Sequence, residues 1–208
     1  MGLPQNYPDE EVVRFLMPHK GKPLVVLDLG AGTGKNTGVM VDLGMRAICA
    51  DYSATGLNYI ASRYSGRAIE TCLLDFTAGP LPFADESIDM IVAIEIFDHV
   101  LKGQARQLAS EASRVLRRGG QMLATLFTTN TTRKSKTGTP VTNEKDTVLV
   151  SVGRSAGEIH SFFDSTAAAG LFDALPLTLL RSMTSIRREE QTDEITEGRY
   201  FVFEKMER

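Results

Sequence analysis

The chain has 208 residues, of which 42% are hydrophobic and 24% charged, a composition typical of one globular domain with a full core. A formal net charge of -3 argues against a nucleic-acid-binding surface, which would be basic, and no apolar run is long enough to cross a membrane. Cys49 and Cys72 lie in apolar runs without metal-ligand spacing. We therefore expect a single cytoplasmic domain over residues 1–208 with reduced, buried thiols.

Helical and extended segments alternate along the first two thirds of the chain. Asp9–Met17 predicts an N-terminal helix within a cap at residues 1–20, because acids occupy its first turn and Pro18 ends it. Apolar runs predict five parallel strands at 24–29, 46–50, 68–74, 88–94 and 121–127. Helices are expected near 35–43, 53–64 and 104–117. This alternation predicts an α/β fold with helices on both faces of the sheet.

The pattern changes after the fifth predicted strand. Residues 128–146 are polar and lack periodicity, which predicts a loop insertion that could close over a ligand as a lid. Its basic residues could bind an anionic acceptor or form a solvated charged surface; they are Arg133, Lys134 and Lys136. A short strand is expected near 147–152 and a helix near 157–169. Two extended runs, 176–186 and 198–205, predict a closing hairpin.

The first predicted strand ends in a glycine-rich turn, Asp28-Leu-Gly30-Ala-Gly32-Thr-Gly34. Glycine permits positive φ and lets a ligand approach the backbone closely. The spacing departs from the dinucleotide fingerprint, and the Asp28 carboxylate would repel a pyrophosphate but suit a ligand with an amino group. The alternative is a plain strand-to-helix turn without a ligand.

A second acid, Asp51, follows the second predicted strand about 20 residues after the glycine turn. A carboxylate at this position typically accepts hydrogen bonds from both ribose hydroxyls of a nucleotide ligand. Alternatively, Asp51 caps the next helix together with Ser53. Both roles are compatible because the carboxylate has two oxygens.

Four further segments follow in order, and with the glycine turn and Asp51 the chain resembles the class I S-adenosylmethionine-dependent methyltransferases. The segments are Leu74-Asp75-Phe76, Leu81-Pro82-Phe83 through Asp89, Glu95 through Val100, and Arg114-Val-Leu-Arg-Arg-Gly-Gly120. The resemblance implies a Rossmann-like, seven-stranded sheet that is mostly parallel, with one antiparallel C-terminal strand inserted beside the fifth. An NAD-linked oxidoreductase is disfavoured by these same segments.

The resemblance also implies a site for S-adenosylmethionine at the carboxyl ends of the first four strands. Asp28 would meet the methionine amino end, and Ala93 would offer its carbonyl to that ammonium. Asp51 would bind the ribose, while Asp75 and the Phe76 backbone N–H would meet the adenine. The complete expected set is Asp28, Gly30, Gly32, Gly34, Asp51, Tyr52, Asp75, Phe76 and Ala93.

His99 is the candidate catalytic residue, because it follows the fourth strand on the side expected for the methyl acceptor. An imidazole exchanges protons near neutral pH, so His99 could act as general base, oriented by Glu95 or Asp98. The alternative is a purely structural role, in which His99 and Glu95 only stabilise the end of the strand. In some related enzymes a similar E-x-x-E-H segment holds a metal, but Asp98 shortens the reach, so no metal is expected. His160, on the late helix, either joins this site or is structural.

The acceptor is expected to be a small molecule methylated on oxygen or nitrogen. Motifs for base and glutamine methylation, and the Pro-Cys nucleophile of C5-cytosine chemistry, are absent, and the net charge is negative, so no nucleic acid is expected as partner. Because no apolar run is long enough to cross a membrane, no membrane partner is expected either. Two alternatives stay open: a thiol or metalloid-oxyanion methyltransferase of the tellurite-resistance type, and a non-catalytic S-adenosylmethionine-binding protein. The chain is expected to be a monomer or a homodimer.

Overall fold

A computed structural model describes residues 7–132, 138–151, 156–188 and 194–207. The helices are α1 (Glu10–Leu16), α2 (Thr37–Asp42), α3 (Ala54–Arg63), α4 (Lys102–Val115) and α5 (Ser165–Phe172). The strands are β1 (Val25–Leu29), β2 (Arg46–Asp51), β3 (Ile69–Leu73), β4 (Ile88–Ala93), β5 (Leu116–Phe127), β6 (Gly138–Pro140), β7 (Thr147–Val150), β8 (Ile159–Ser161), β9 (Leu177–Arg188) and β10 (Ile195–Lys205). None of the helices in these ranges has the length and apolar character needed to cross a membrane.

Seven strands form the main sheet, in the order β3-β2-β1-β4-β5-β10-β9. Strands β1 to β5 are parallel, whereas β10 is antiparallel to both β5 and β9. The prediction of a mostly parallel, Rossmann-like sheet with one antiparallel C-terminal strand is confirmed. The strand order reverses between β1 and β4, and such a reversal opens a crevice at the carboxyl ends of the strands.

Each face of the main sheet carries its own hydrophobic core. Alternate residues of β1 point to opposite faces, so Val26 belongs to one core and Leu27 to the other. Helices α1, α2 and α3 cover the Val26 side, and α4 and α5 cover the Leu27 side. In α4 the buried apolar residues recur at helical spacing: Ala105, Leu108, Ala109, Ala112 and Val115.

The predicted N-terminal helix is present as α1. The Asp9 carboxylate caps it by accepting the N–H of Glu11. Two long-range contacts hold α1 on the C-terminal hairpin: the Tyr200 hydroxyl donates to Asp9 at 2.8 Å, and the Arg181 guanidinium donates to Glu11 at 2.9 Å. The Asp9 N–H also donates to the Asn36 side chain at 3.0 Å, at the start of α2. Helix α1 therefore contacts both early and late parts of the chain.

Strands β6, β7 and β8 form a separate antiparallel sheet, which we call the small sheet. It buries Val148, Val150 and Phe162 against Phe127 at the end of β5. The Ser161 hydroxyl donates to the Val100 carbonyl at 2.7 Å, which fixes β8 beside the turn that precedes α4. The small sheet is thereby held against the carboxyl end of the main sheet.

Two predictions for this region are wrong. The helix expected near 157–169 begins only at Ser165, because Ile159–Ser161 pairs with β7 and Asp164 caps α5 by accepting the N–H of Ala167. The 128–146 segment is not wholly a loop, since β6 lies within it. Its polar composition gave no sign of this strand, which forms by pairing with β7. Residues 133–137, with Arg133, Lys134 and Lys136, lie outside the described residues.

Candidate functional site

An open cavity of about 450 Å³ lies at the crevice where the strand order reverses. Gly30, Asp51 and Tyr52 come from the ends of β1 and β2, and Glu95, Ile96 and His99 follow β4. The opposite wall consists of residues just before and within β8. The full lining is Gly30, Asp51, Tyr52, Glu95, Ile96, His99, Gly157, Glu158 and Ile159.

The glycine turn beside this cavity combines tight packing with open space. At Gly34 (φ +78°) a Cβ would lie 2.7 Å from the Ile60 side chain, so glycine lets α3 pack against the turn. At Gly32 (φ +56°) a Cβ would meet no protein atom within 4 Å. Glycine is favoured at that position because its φ is positive, and the missing side chain leaves room for a ligand to approach.

Hydrogen bonds within the protein already use four amide groups of this turn, those of Gly30, Ala31, Gly32 and Gly34. The first two donate to the Ala50 carbonyl at 2.9 and 3.1 Å. The third donates to Asp51 Oδ2 at 2.8 Å, and the fourth to the Ala31 carbonyl at 2.8 Å. A phosphate-binding loop presents such amides to its ligand. This turn instead holds its own shape, which favours a ligand that needs no cradle of N–H donors.

Asp51 is buried and holds the glycine turn in place. Its Oδ2 accepts the Gly32 N–H, and its Oδ1 accepts the Ser53 N–H at 2.8 Å. The cap of α3 is Ser53, whose hydroxyl accepts the Gly56 N–H at 3.1 Å. Each carboxylate oxygen retains a second lone pair, so Asp51 can also accept from a ligand.

Gly56 also shapes the glycine turn beside the cavity, although it is not among the predicted site residues. A Cβ at this position would lie 2.3 Å from the Gly32 carbonyl oxygen, so any side chain would push α3 away from the turn. The signal available in the sequence was a glycine three residues after the Ser53 cap, inside a predicted helix, where glycine is otherwise unfavourable. Gly56 thus sets how closely α3 approaches the cavity.

Asp28 lies behind the glycine turn and does not line the cavity. Its carboxylate is buried and accepts the Thr37 hydroxyl at 3.0 Å. Burial raises the pKa of Asp28 to about 7, against the opposing effect of the Thr37 hydrogen bond. This carboxyl therefore holds its proton to a higher pH than an exposed aspartate does.

The remaining predicted cofactor residues also lie outside the lining of this cavity. Asp75 is exposed after β3, and its Oδ1 accepts the N–H and the hydroxyl of Thr77 at 2.8 and 2.7 Å. These hydrogen bonds lower the pKa of Asp75. Phe76 lines a separate cavity of about 430 Å³ beside α4, and Ala93 is buried at the end of β4. The structure thus brings Gly30, Asp51, Tyr52 and His99 together.

The carboxylate beside His99 is Glu158, and neither Glu95 nor Asp98. His99 Nδ1 lies 3.3 Å from Glu158 Oε2. The expectation that Glu95 or Asp98 orients His99 is therefore wrong. Glu158 immediately precedes β8 of the small sheet, far from His99 in sequence.

Glu95 and Asp98 have other contacts that explain their positions. The Glu95 backbone takes a left-handed conformation (φ +54°), and its N–H donates to the Thr125 hydroxyl at 2.7 Å. Asp98 is buried, and its Oδ1 accepts the Phe127 N–H. Burial raises the pKa of Asp98 well above its usual range, and its carboxyl ties the turn to β5.

His160 lies on β8, and not on a helix as predicted. Its ring centre is 4.7 Å from that of His99, with an interplanar angle of 77°. Its Nε2 lies 3.7 Å from Glu158 Oε2. Glu158 immediately precedes β8, and the contact of its carboxylate with His160 depends on this strand, which the sequence alone did not predict.

Three carboxylates give the cavity its charge: Asp51, Glu95 and Glu158. Among the described residues that line it there is no lysine or arginine. Such a wall repels phosphate groups and attracts a ligand that carries positive charge. Arg187 lies 3.9 Å from Glu95 and offsets part of its charge. The other carboxylates, and the glycine-turn N–H groups that already donate within the protein, favour cationic ligands over phosphorylated ones.

Comparisons with known proteins point to one family. Residues 27–124 match the model of a methyltransferase domain family. An uncharacterized methyltransferase of Mycobacterium tuberculosis is 32% identical over 117 residues, which cover 56% of this chain and 44% of that protein. The chain thus spans less than half the length of this curated relative.

Solved structures share the fold over nearly the whole chain. A SAM-dependent methyltransferase of Methanosarcina mazei superposes with a TM-score of 0.77 at 17% identity, covering 92% of this chain and 97% of that one. The 1,6-didemethyltoxoflavin-N1-methyltransferase of Burkholderia thailandensis, solved with bound 1,6-didemethyltoxoflavin and S-adenosylhomocysteine, superposes with a TM-score of 0.68 at 16% identity, covering 95% of this chain and 78% of that one. At these identities the likeness concerns the fold.

Proposed function

Because the chain belongs to the class I S-adenosylmethionine-dependent methyltransferases, we propose that it methylates a small molecule on an oxygen or nitrogen atom. The observation that carries the proposal is the cavity at the strand-order reversal, with three carboxylates and a glycine turn whose amides are already bonded. S-adenosylmethionine carries a sulfonium and an ammonium and no phosphate, so its charge matches this wall.

We assign the cofactor to the side of the cavity formed by β1 and β2. Gly32 leaves open space beside the turn, and Asp51 ends β2 with lone pairs available for the ribose hydroxyls. Outside the lining of this cavity, the family resemblance assigns Asp28 and Ala93 to the methionine end and Asp75 and Phe76 to the adenine. Tyr52, which is 67% exposed, lies at the rim of the cavity, where it can pack on the ligand.

We assign the acceptor to the opposite side, between His99 and the small sheet. Methyl transfer is an in-line displacement in which the acceptor–carbon bond forms while the carbon–sulfur bond breaks, leaving a neutral thioether. Alignment supplies much of the acceleration. For a hydroxyl or amine acceptor, the proton passes to His99 Nε2 while Nδ1–H is held by Glu158.

The acceptor and the compartment follow from the same features. An acidic cavity and a negative net charge favour a small neutral or cationic acceptor over DNA, RNA or an anionic membrane surface. Both cysteines are free thiols, as expected for the reducing cytoplasm. The small-molecule acceptor and the cytoplasmic location are parts of this proposal.

Calorimetry tests the cofactor half of the proposal. S-adenosylmethionine and S-adenosylhomocysteine are titrated into the protein, into Asp51→Ala, and into Asp42→Ala as a control whose carboxylate is exposed at the end of α2. Binding that is weakened only in Asp51→Ala is expected. Absence of binding to the unmodified protein at millimolar ligand overturns the proposal.

A methyl-transfer screen tests the acceptor half. Labelled S-adenosylmethionine is incubated with fractionated metabolites, and labelled products are identified by mass spectrometry. Methylated hydroxyl or amine compounds support the proposal. A methylated thiol or metalloid, or turnover that does not depend on His99, favours the tellurite-resistance type of chemistry, which requires no base. Cofactor binding without any labelled product would match a non-catalytic binding protein.

A further inference from the structure

His99, Glu158 and His160 form a cluster whose composition exceeds what a general base requires. One ligand-capable atom of each lies within 4.8 Å of the other two. Glu158 Oε2 is 3.3 Å from His99 Nδ1 and 3.7 Å from His160 Nε2. A general base needs one imidazole and one orienting carboxylate, so the second imidazole on the same carboxylate oxygen calls for a separate explanation.

Two imidazole nitrogens and one carboxylate oxygen are a ligand set typical of zinc and related divalent transition metals. Donor atoms around a tetrahedral zinc ion lie roughly 3.3–3.5 Å apart, because each stands about 2.0–2.2 Å from the metal. The two measured separations lie close to this range. We propose that His99, Glu158 and His160 bind a divalent transition metal ion of the zinc class.

The surroundings of the cluster suit such an ion. His160 is only 8% exposed on β8, whereas His99 and Glu158 line the open cavity. One side of the bound ion therefore faces packed protein and the other faces the cavity, where water or a ligand completes the coordination. The Phe127 ring lies 6.1 Å from His99 and 5.9 Å from His160, which provides an apolar surround.

Metal binding has a defined consequence for His99. A metal on Nδ1 places the remaining imidazole proton on Nε2, so Nε2 can no longer accept a proton from the acceptor. The metal-bound protein therefore lacks the general base, and the ion inhibits the reaction by keeping His99 from accepting the proton of the acceptor. This consequence rests on the proposed function, whereas the binding of the metal does not.

A titration with metal alone tests the site. The protein is freed of metal with a chelator, and Co²⁺ is added while visible absorption is recorded; Zn²⁺ binding is measured by calorimetry. We expect one ion per chain. Single variants His99→Gln, Glu158→Gln and His160→Gln remove a ligand each, so each should weaken affinity by more than the roughly 10–100-fold that is usual for losing a residue that only hydrogen-bonds to a ligand. His19→Gln is the matched control, since His19 is the one histidine of the sequence that is not part of the cluster.

The possible outcomes separate clearly. Site-dependent Co²⁺ absorption, with a Zn²⁺-induced rise in melting temperature that is lost in His160→Gln and kept in His19→Gln, supports the proposal. No binding, or equal binding by all variants, overturns it. Glu158→Gln preserves shape, so it remains informative if His160→Gln fails to fold.

Titration of S-adenosylmethionine in the same samples distinguishes the two proposals, because cofactor binding can fail while the metal binds, or the reverse. Once an acceptor is known, Zn²⁺ should lower turnover reversibly. Stimulation by Zn²⁺ would overturn the inhibitory consequence.

Discussion

The two sides of the cavity are built in different ways. On the cofactor side, Gly30, Gly32 and Asp51 are joined by hydrogen bonds between chain segments that adjacent strands hold in register. On the acceptor side, His99 meets Glu158 only because the small sheet docks on the turn after β4. The first side is formed by the main sheet itself, whereas the second depends on a separate small sheet. The side proposed for the cofactor is thus built by adjacent strands of one sheet, whereas the side proposed for the acceptor depends on the docking of a second sheet.

The largest expected effect lies on the acceptor side. Replacing His99 with alanine should lower kcat by about 10²–10⁴-fold, the range usual for loss of a positioned base, while cofactor affinity is retained. Glu158→Gln should have a smaller effect because it disturbs only the orientation of the imidazole. Steady-state kinetics with the identified acceptor, and calorimetry with the cofactor, measure the two quantities. Near-normal turnover of His99→Ala would make alignment alone responsible for catalysis.

The next effect concerns Asp28, behind the cofactor side. Its folded-state pKa of about 7 exceeds the ordinary aspartate value of 3.8, so the folded protein holds an extra proton between these pH values. Stability from this carboxyl therefore falls as the pH rises towards 7. When the pH is raised from 5 to 8, the unmodified protein should lose about 2–3 kcal/mol of unfolding free energy that Asp28→Asn does not lose.

Urea denaturation at the two pH values measures this difference. Thr37→Val is the companion variant, since it removes the hydroxyl that stabilises the ionised form. Between pH 5 and 8, the unfolding free energy of Thr37→Val should fall more than that of the unmodified protein, because the Asp28 pKa rises further in this variant. Parallel pH profiles for the unmodified protein and Asp28→Asn would mean that Asp28 is ionised throughout.

A third prediction concerns Asp51, which has both a structural and a proposed ligand role. Asp51→Ala should weaken S-adenosylmethionine binding by roughly 1.5–3 kcal/mol for each charged hydrogen bond lost. Because the variant also leaves the Gly32 and Ser53 amides without their acceptor, the melting temperature should fall as well. Calorimetry and thermal melting are compared with Asp42→Ala. A lower melting temperature with unchanged affinity would restrict Asp51 to bracing the turn.

The smallest expected effect concerns the 128–146 segment as a lid. Cleavage by a non-specific protease should be fastest there without ligands and should slow when cofactor and acceptor are both bound. Cofactor alone should protect less, because it occupies the other side of the cavity. Mass spectrometry of early fragments gives the sites. Equal cleavage rates with and without ligands would count against a lid.

The main sheet was predictable because its signals are local. Buried strands such as β1 and β4 show as apolar runs, and the Asp28 to Gly34 turn has its own residue pattern. Gly56 escaped notice, because its need for a missing Cβ arises only when α3 meets the turn.

The acceptor wall was harder to predict because it depends on pairing between distant segments. Residues 159–161 alone are too short to distinguish a strand from the start of a helix, and β7 decides the matter by pairing. The Glu158–His99 contact follows from that pairing and from the Ser161–Val100 hydrogen bond. The prediction chose Glu95 and Asp98 because they are close to His99 in the sequence, whereas Glu158 is close to it only in the folded structure.

The docking of α1 also bears on the order in which the protein forms during synthesis. The apolar side of this helix, with Val12, Phe15 and Leu16, belongs to the same core as Tyr200 and Val202 of β10. Its polar contacts run to Asn36 early in the chain and to Arg181 and Tyr200 late in the chain. A ribosome releases these late partners long after the helix itself. Until β9 and β10 emerge, α1 therefore lacks its polar partners Arg181 and Tyr200, and its docking is complete only after these strands are made.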